Sequence, residues 1–489
     1  MAYDYDLIVI GGGAAGLTGS GLGVSLGAKT LMVESERLGG DCTWYGCVPS
    51  KVLLKAAKAA QTIRDAGKYG LIDSEPQIDF AKVIRHVHDL RNEIYEDADR
   101  PEIYEKMGVE VAFGTASFID PHTIEIESEG SRRSITSRYF LIATGAKAFV
   151  PPIEGIESIN YLTNESLFEV DSLPPRLVIV GGGPIGCEMA QSFARLGSDV
   201  TIVDMADRVL PRDDAETAGY LQQQLVKDGV TLILKAGVKK FEQRGDTVFV
   251  TVEDDGGMRE LETDSVLMAT GRRANVRALN LESAGVEFDK GVVVNEKCRT
   301  NVRHIYASGD VTGRYQFTHM SEHMSKVAVT NALSKFPLKI DSKHVPWVTY
   351  TEPEVGHLGA TREELEKAGE SFLEYRFPYS RIDRAITDSE ANGLIKVYGR
   401  RRSGKILGAD IAGVAAGELI SELAVAMRNG VSLRNISDTI HPYPSYGLGV
   451  RRVADQWYVK NHSTIVARLL KFVFRYRGPL LEFEPGQIV

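Results

Sequence analysis

Twice along the chain a short apolar, β-rich run breaks into a cluster of glycines. Tyr5 to Ile10 leads into Gly11-Gly12-Gly13-Ala14-Ala15-Gly16, then a small-residue segment to Gly27, then a second apolar run from Lys29 to Val33 that ends in Glu34. Leu177 to Val180 leads into Gly181-Gly182-Gly183-Pro184-Ile185-Gly186, then a helix-forming stretch from Cys187 to Leu196, then Asp199 to Val203 ending in Asp204. The pattern predicts strand, tight turn, helix, strand in both places. From Gly11 to Glu34 and from Gly181 to Asp204 the separation is 23 positions each time. Each unit later closes on an apolar run into Ala-Thr-Gly, at Ala143-Thr144-Gly145 and Ala269-Thr270-Gly271. Strands that end in small residues leave room for a backbone to approach a ligand.

Such turns present backbone N–H groups to a pyrophosphate, and an acid at the end of the second strand meets the ribose hydroxyls. The candidates are Gly11, Gly13, Ala15, Gly16 and Glu34 in the first unit, with Thr144 and Gly145. In the second they are Gly181, Gly183, Gly186 and Asp204, with Gly271. Two units predict two dinucleotides.

Between them lies the stretch on which the chemistry turns: Gly39-Gly40-Asp41-Cys42-Thr43-Trp44-Tyr45-Gly46-Cys47-Val48-Pro49-Ser50-Lys51. Two of the four cysteines stand here, five positions apart. Lys51 to Arg64 reads as helix, with Gly67 as a stop, so Cys47 falls at or just before a helix N-terminus, where a thiolate is favoured. A thiolate beside a second thiol is a thiol–disulfide exchange device. A structural zinc pair would need two more ligands, and Cys187 and Cys298 stand alone in apolar runs.

This stretch resembles the active-site signature of the flavin disulfide reductases, the family of dihydrolipoyl dehydrogenase, glutathione reductase and mercuric reductase. The resemblance extends over nearly the whole chain to about Ala454. It implies an α/β fold with two Rossmann-like dinucleotide-binding domains, for FAD and NAD(P), and an α+β dimerisation domain. The resemblance places FAD, with Gly40 beside it, on the first unit and the nicotinamide on the second. It makes Cys47 the flavin-proximal thiol and Cys42 the exchange thiol. Lys51 and Glu188 match positions that pair near the flavin ring. Ile305-Tyr306-Ala307-Ser308-Gly309-Asp310 resembles the second FAD motif, with Asp310 at the ribityl chain. The expected division is 1–150 for the first part of the FAD domain, 151–274 for NAD(P), 275–345 for the second part of the FAD domain, 346–462 for homodimerisation and 463–489 for a tail. The acid Asp204, followed by Met205-Ala206-Asp207-Arg208 rather than a cluster of arginines, predicts NADH over NADPH.

Two stretches depart from the family pattern. Members that reduce disulfides carry His before Pro-Thr and a Glu shortly after. Here the segment is His441-Pro442-Tyr443-Pro444, with Tyr443 at the His position, His441 two residues earlier and Leu448 where the Glu would stand. A His titrates near working pH and a Tyr, at ~10, does not. Mercuric reductases resemble this chain in carrying Tyr there, although their C-terminal cysteine pair has no counterpart in the sequence. Trp44 and Tyr45 are expected to narrow the substrate side. The predicted substrate is therefore a thiol-bound metal ion or a disulfide. The alternatives are a dihydrolipoyl dehydrogenase or glutathione reductase activity with His441 as the base, and a membrane-associated NADH:quinone oxidoreductase.

The second departure is the tail. From Thr464 to Arg477 the basic residues Arg468, Lys471 and Arg475 recur at helical spacing opposite Leu, Phe and Val, which suits an interfacial helix contacting a membrane or a protein. His319 and His323, four apart, share a face of a helix expected over Tyr315 to Leu333, in a packing role; His86 and His88 are expected to be solvated.

Composition narrows the rest. A net charge of −9 gives no support for nucleic-acid binding, and no apolar run reaches membrane-spanning length. The acidic N-terminal residues are unlike a signal peptide, and so few cysteines point to a reducing compartment, expected to be the cytoplasm. No metal cofactor is expected.

Overall fold

The computed structural model describes residues 3–128, 130–334, 336–461 and 464–480. The chain falls into two compact units, Met1–Met205 with Gly229–Asp341, and Ala206–Asp228 with Ser342–Val489.

The first unit holds both glycine turns. Its larger sheet runs Glu110–Phe113, Thr30–Glu34, Tyr5–Ile10, Ser131–Ile142, Thr123–Ser128, Thr115–Asp120. Tyr5–Ile10 is flanked in parallel by Thr30–Glu34 and Ser131–Ile142, so its Leu7–Ile10 portion is buried on both faces and reads as an unbroken apolar run. Ile305–Ala307 pairs in parallel with Ser131–Ile142, returning the chain to this sheet after the second glycine unit. That second unit is a parallel sheet in the order Thr231–Ile233, Asp199–Val203, Arg176–Val180, Ser265–Met268, followed through Gly237–Thr263 by a three-stranded antiparallel sheet.

The two Ala-Thr-Gly segments lead into a shared ribbon. Ala146–Ala148 pairs antiparallel with Arg272–Ala274. The Thr144 hydroxyl donates to Asn275 O at 2.8 Å and the Thr270 hydroxyl to Phe149 O at 2.6 Å, so each threonine ties its strand end to the other segment.

The second unit is built on a five-stranded antiparallel sheet in the order Pro346–Thr349, Glu354–Gly359, Ile406–Gly413, Leu394–Gly399, Leu373–Pro378. Ala416–Arg428 and Gly447–Lys460 cover it. Ala215–Lys227 belongs here rather than with the residues around it in sequence. It packs on Glu354–Gly359 and Ile406–Gly413, and its cap residue Asp214 accepts from Lys396 Nζ at 2.8 Å. This removes 206–228 from the compact unit that holds the rest of 151–274.

The tail helix spans Thr464–Phe474 and stops at Arg475, whose φ of +53° is left-handed, short of the helical run to Arg477 that the sequence pattern suggests. His462 and residues 481–489 lie outside the described residues.

Candidate active site

The glycine turns are shaped by close approach. Gly11 has φ +110°, and a Cβ there would meet Ala143 O at 2.4 Å; Gly181, at φ +114°, would meet Ala269 O at the same distance. Gly16 and Gly186 each press on the carbonyl of the first glycine of their own turn. By contrast, a Cβ at Gly145, Gly183 or Gly271 would meet nothing within 4 Å. These three border open space at strand ends and at a helix N-terminus, which is the form a dinucleotide requires. Both acids play one local part. Gly12 N donates to Glu34 Oε2 at 2.7 Å, and Gly182 N donates to an Asp204 carboxylate oxygen. Each acid is therefore fixed against its own turn. Ala15, by contrast, is buried, its carbonyl accepting from the Ser325 hydroxyl at 2.6 Å.

The cysteine segment is laid against the first turn by its glycines. Gly40, at φ +59°, lies so close that a Cβ would sit 2.6 Å from Gly13 Cα, and Gly39 N donates to Gly12 O at 2.9 Å. Gly40–Trp44 forms a short helix carrying Cys42, and Cys47–Arg64 follows with Gly46 at its N-cap. The long helix thus starts at Cys47, four residues before the start read from propensity, because Pro49 is tolerated within a first turn. Cys47 is its first residue and receives the dipole directly.

The two thiols share a hydrogen bond that stabilises the Cys47 thiolate. Together with the Thr318 hydroxyl, 3.5 Å from Cys47 Sγ, and the Lys51 charge, it outweighs burial and brings Cys47 down to about 6. The same interaction pushes Cys42 well above the ordinary thiol range. The asymmetry gives Cys47 the thiolate and Cys42 the proton.

Lys51 Nζ lies 2.8 Å and 3.1 Å from the two Glu188 oxygens. Glu188 is buried on Pro184–Leu196, the helix that follows the second glycine turn, so the ion pair joins the cysteine helix to that helix. Asp310 sits in the turn Gly309–Thr312, with Arg272 Nε at 3.5 Å and the Ser321 hydroxyl at 3.5 Å; burial raises its carboxyl above the usual range.

Sequence reasoning missed the clamp on the cysteine segment. Arg272 Nη1 donates to Asp41 Oδ2 at 2.8 Å and Arg272 Nη2 to Ala146 O at 2.8 Å, while Asn164 Nδ2 donates to Asp41 Oδ1 at 2.9 Å. Arg272 directly follows an Ala-Thr-Gly and Asp41 directly precedes Cys42, so both carried a positional signal. Asn164 and Thr318 carried none.

Trp44 corrects an expectation. It points inward, 5% exposed, with its indole donating to Leu38 O at 2.7 Å and the Arg37 guanidinium 3.5 Å over its ring. It does not narrow a substrate channel. His88 is likewise not simply solvated, since its Nε2 is 2.7 Å from Phe168 O. His319 stacks on Phe317, and His323 Nε2 accepts from Asp341 N at 2.9 Å, on a helix, Thr318–Leu333, that starts three residues later than the pattern suggested. Among the described residues no cluster of three metal-ligating side chains exists.

In the second unit, Tyr443 is 70% exposed in the single chain, and a hydrogen bond to Asp383 raises its phenol further. His441 is tied at both nitrogens, Nδ1 2.9 Å from Thr439 O and Nε2 2.9 Å from Glu422 Oε1. Leu448 is buried.

Residues 5–325 match the family described as pyridine nucleotide-disulphide oxidoreductase, and residues 345–452 match its dimerisation domain. The chain is a member of this family. A pyridine nucleotide-disulphide oxidoreductase uses FAD and NAD(P), and this one carries the domain through which the family forms homodimers. It is 33% identical over 457 residues to mercuric reductase of Lysinibacillus sphaericus, covering 92% of this chain and 82% of that one. It is also 33% identical over 465 residues to dihydrolipoyl dehydrogenase of Haloferax volcanii, covering 93% and 96%. Among solved structures, LpdA from Mycobacterium tuberculosis superposes with a TM-score of 0.85 at 27% identity, covering 92% of this chain and 99% of that one. The Cu(II) complex of the HOCl-induced flavoprotein disulfide reductase RclA from Escherichia coli superposes at 0.83 and 28%, covering 93% and 100%. The α/β architecture with nucleotide-binding and dimerisation domains follows the expectation from sequence.

Proposed function

We propose that the enzyme takes two electrons from NADH and delivers them, by way of FAD and the Cys42–Cys47 pair, to a thiophilic metal ion held by thiols. The first glycine turn with Glu34, Gly40, Thr144, Gly145 and Asp310 would hold FAD. The second turn with Asp204 and Gly271 would hold the nicotinamide cofactor. Bound FAD supplies the two-electron relay between nicotinamide and sulfur. Cys47 holds a thiolate beside Lys51, Glu188 fixes that lysine, and Cys42 is the thiol that meets substrate.

Tyr443 is the observation that carries the choice of substrate. NADH reducing a disulfide to two thiols consumes one proton, which a group near the leaving sulfur must deliver. NADH reducing Hg(II) to Hg(0) releases one proton and needs no such donor. A phenol raised above its ordinary range by Asp383 is poorly suited to shuttle a proton near neutral pH. By family analogy Tyr443 serves the cysteine pair of the second subunit. The mercuric reductase relatives and the Cu(II) complex of RclA support a metal substrate.

A second reading, disulfide reduction with His441 as base, is favoured by its Glu422 contact, a His–carboxylate pair of the kind a base needs. Against it, both ring nitrogens are engaged and the side chain is 8% exposed. The choice is tested by NADH oxidation with a Hg(II)–thiol complex, Cu(II), lipoamide and glutathione disulfide as separate acceptors. Turnover with a metal complex and little with either disulfide supports our reading; the reverse, abolished in His441→Ala, supports the second. An NADH:quinone activity would survive Cys42→Ser and Cys47→Ser. We place the enzyme in the cytoplasm, where the cysteine pair can be kept reduced.

A further inference from the structure

Beyond the residues matched by the dimerisation domain, which end at 452, the chain adds a helix that nothing in the catalytic account uses. Within Thr464–Phe474 its large apolar side chains face outward, with Phe472 83% and Ile465 76% exposed and Leu469 and Phe474 each 59%. Arg468 and Lys471 share one side of this helix, and Arg475 and Arg477 follow immediately. Residues 464–480 contain these four cations and no acid, in a chain whose net charge is −9. The apolar arc is wide, and the only charges on the polar side, which Thr464 shares, are positive.

We propose that this helix lies along an anionic phospholipid surface. Eleven residues of helix are about 16 Å long, half of the ~30 Å hydrocarbon core, so it cannot cross. Among the described helices none is long and apolar enough to do so. Its length and two-sidedness suit the interface, with Phe472, Leu469 and Ile465 among the acyl chains and Arg468 and Lys471 at headgroup level. The charge selects the occupant. A second copy of the same helix would bring like charges together, whereas anionic headgroups neutralise them.

Flotation of the holoenzyme with vesicles tests this. We expect binding to vesicles of phosphatidylcholine with about one-third phosphatidylglycerol, at least tenfold weaker binding to pure phosphatidylcholine, and loss of most of the binding in high salt. Arg468→Glu with Lys471→Glu should weaken it about tenfold or more, and so, separately, should Leu469→Ser with Phe472→Ser. NADH-dependent flavin reduction should stay unchanged in both. Absence of vesicle binding by the parent, or binding indifferent to both pairs of substitutions, overturns the proposal. So does a change from dimer to monomer in sedimentation velocity on Leu469→Ser with Phe472→Ser, which would assign the face to a second copy.

Discussion

Arg272 Nη1 meets Asp41 Oδ2 at 2.8 Å, one residue ahead of Cys42, and so ties the end of one nucleotide-binding strand to the redox segment of the other. Arg272 is the more buried partner, with 14% of its side chain exposed. Removing the carboxylate takes away the closest counter-charge of a mostly buried cation, leaving Asp310, the more distant Glu165 and the Ala146 carbonyl. Asp41→Asn should therefore destabilise the enzyme by about 1–3 kcal/mol, visible as a lowered thermal midpoint of the holoenzyme. An unchanged midpoint would mean that the clamp carries no stability.

The thiolate should show itself through pH. Cys47 sits at about 6, against ~8.5 for a free thiol. A thiolate absorbance in the reduced enzyme should accordingly appear with a midpoint near pH 6 and vanish in Cys47→Ser. A depressed folded value contributes stability that is complete above about pH 8.5 and gone once pH falls below about 6. Cys42→Ser, which weakens the largest stabilising interaction, should raise the midpoint, and Thr318→Val should raise it less.

Lys51 and Glu188 are expected to act as one unit. Lys51→Met removes the cation whose charge favours the Cys47 thiolate and which we propose lies near the flavin, and flavin reduction by NADH should slow by about 10–100-fold. Glu188→Gln keeps a hydrogen-bond acceptor and should slow it less. Rapid-reaction kinetics on both variants and on the double variant should show non-additive losses, since the two side chains make one contact.

Cofactor choice rests on Asp204, held to Gly182 at the end of its strand. A 2′-phosphate would bring further negative charge to this carboxylate. We expect kcat/KM for NADH to exceed that for NADPH by about tenfold or more, and Asp204→Ser to narrow the ratio. Equal efficiencies in the parent would remove the argument.

Much of this was legible because the spacing of Gly11 to Glu34 and of Gly181 to Asp204 is a local property of strand, turn and helix. The Lys51–Glu188 contact is long-range, yet it was readable because both residues fall in recognisable motifs. What escaped the sequence was side-chain direction and non-local packing. Trp44 turns inward because Arg37 and Leu38 O give its ring and its N–H partners, and nothing between two cysteines announces that. Ala215–Lys227 follows the second glycine unit in sequence, but its Asp214 cap is claimed by Lys396 from a strand about 180 residues on. Asn164 lies in a turn-rich crossing with no periodicity, so its bond to Asp41 left no trace in the pattern.

The central claim, that electrons pass through Cys42 and Cys47, is met most directly by anaerobic titration of the holoenzyme with NADH while the visible spectrum is recorded. The account requires a long-wavelength thiolate-to-flavin charge-transfer band at two-electron reduction, lost in Cys47→Ser. Direct bleaching of the flavin with no such band would contradict it and bring the quinone reductase reading forward.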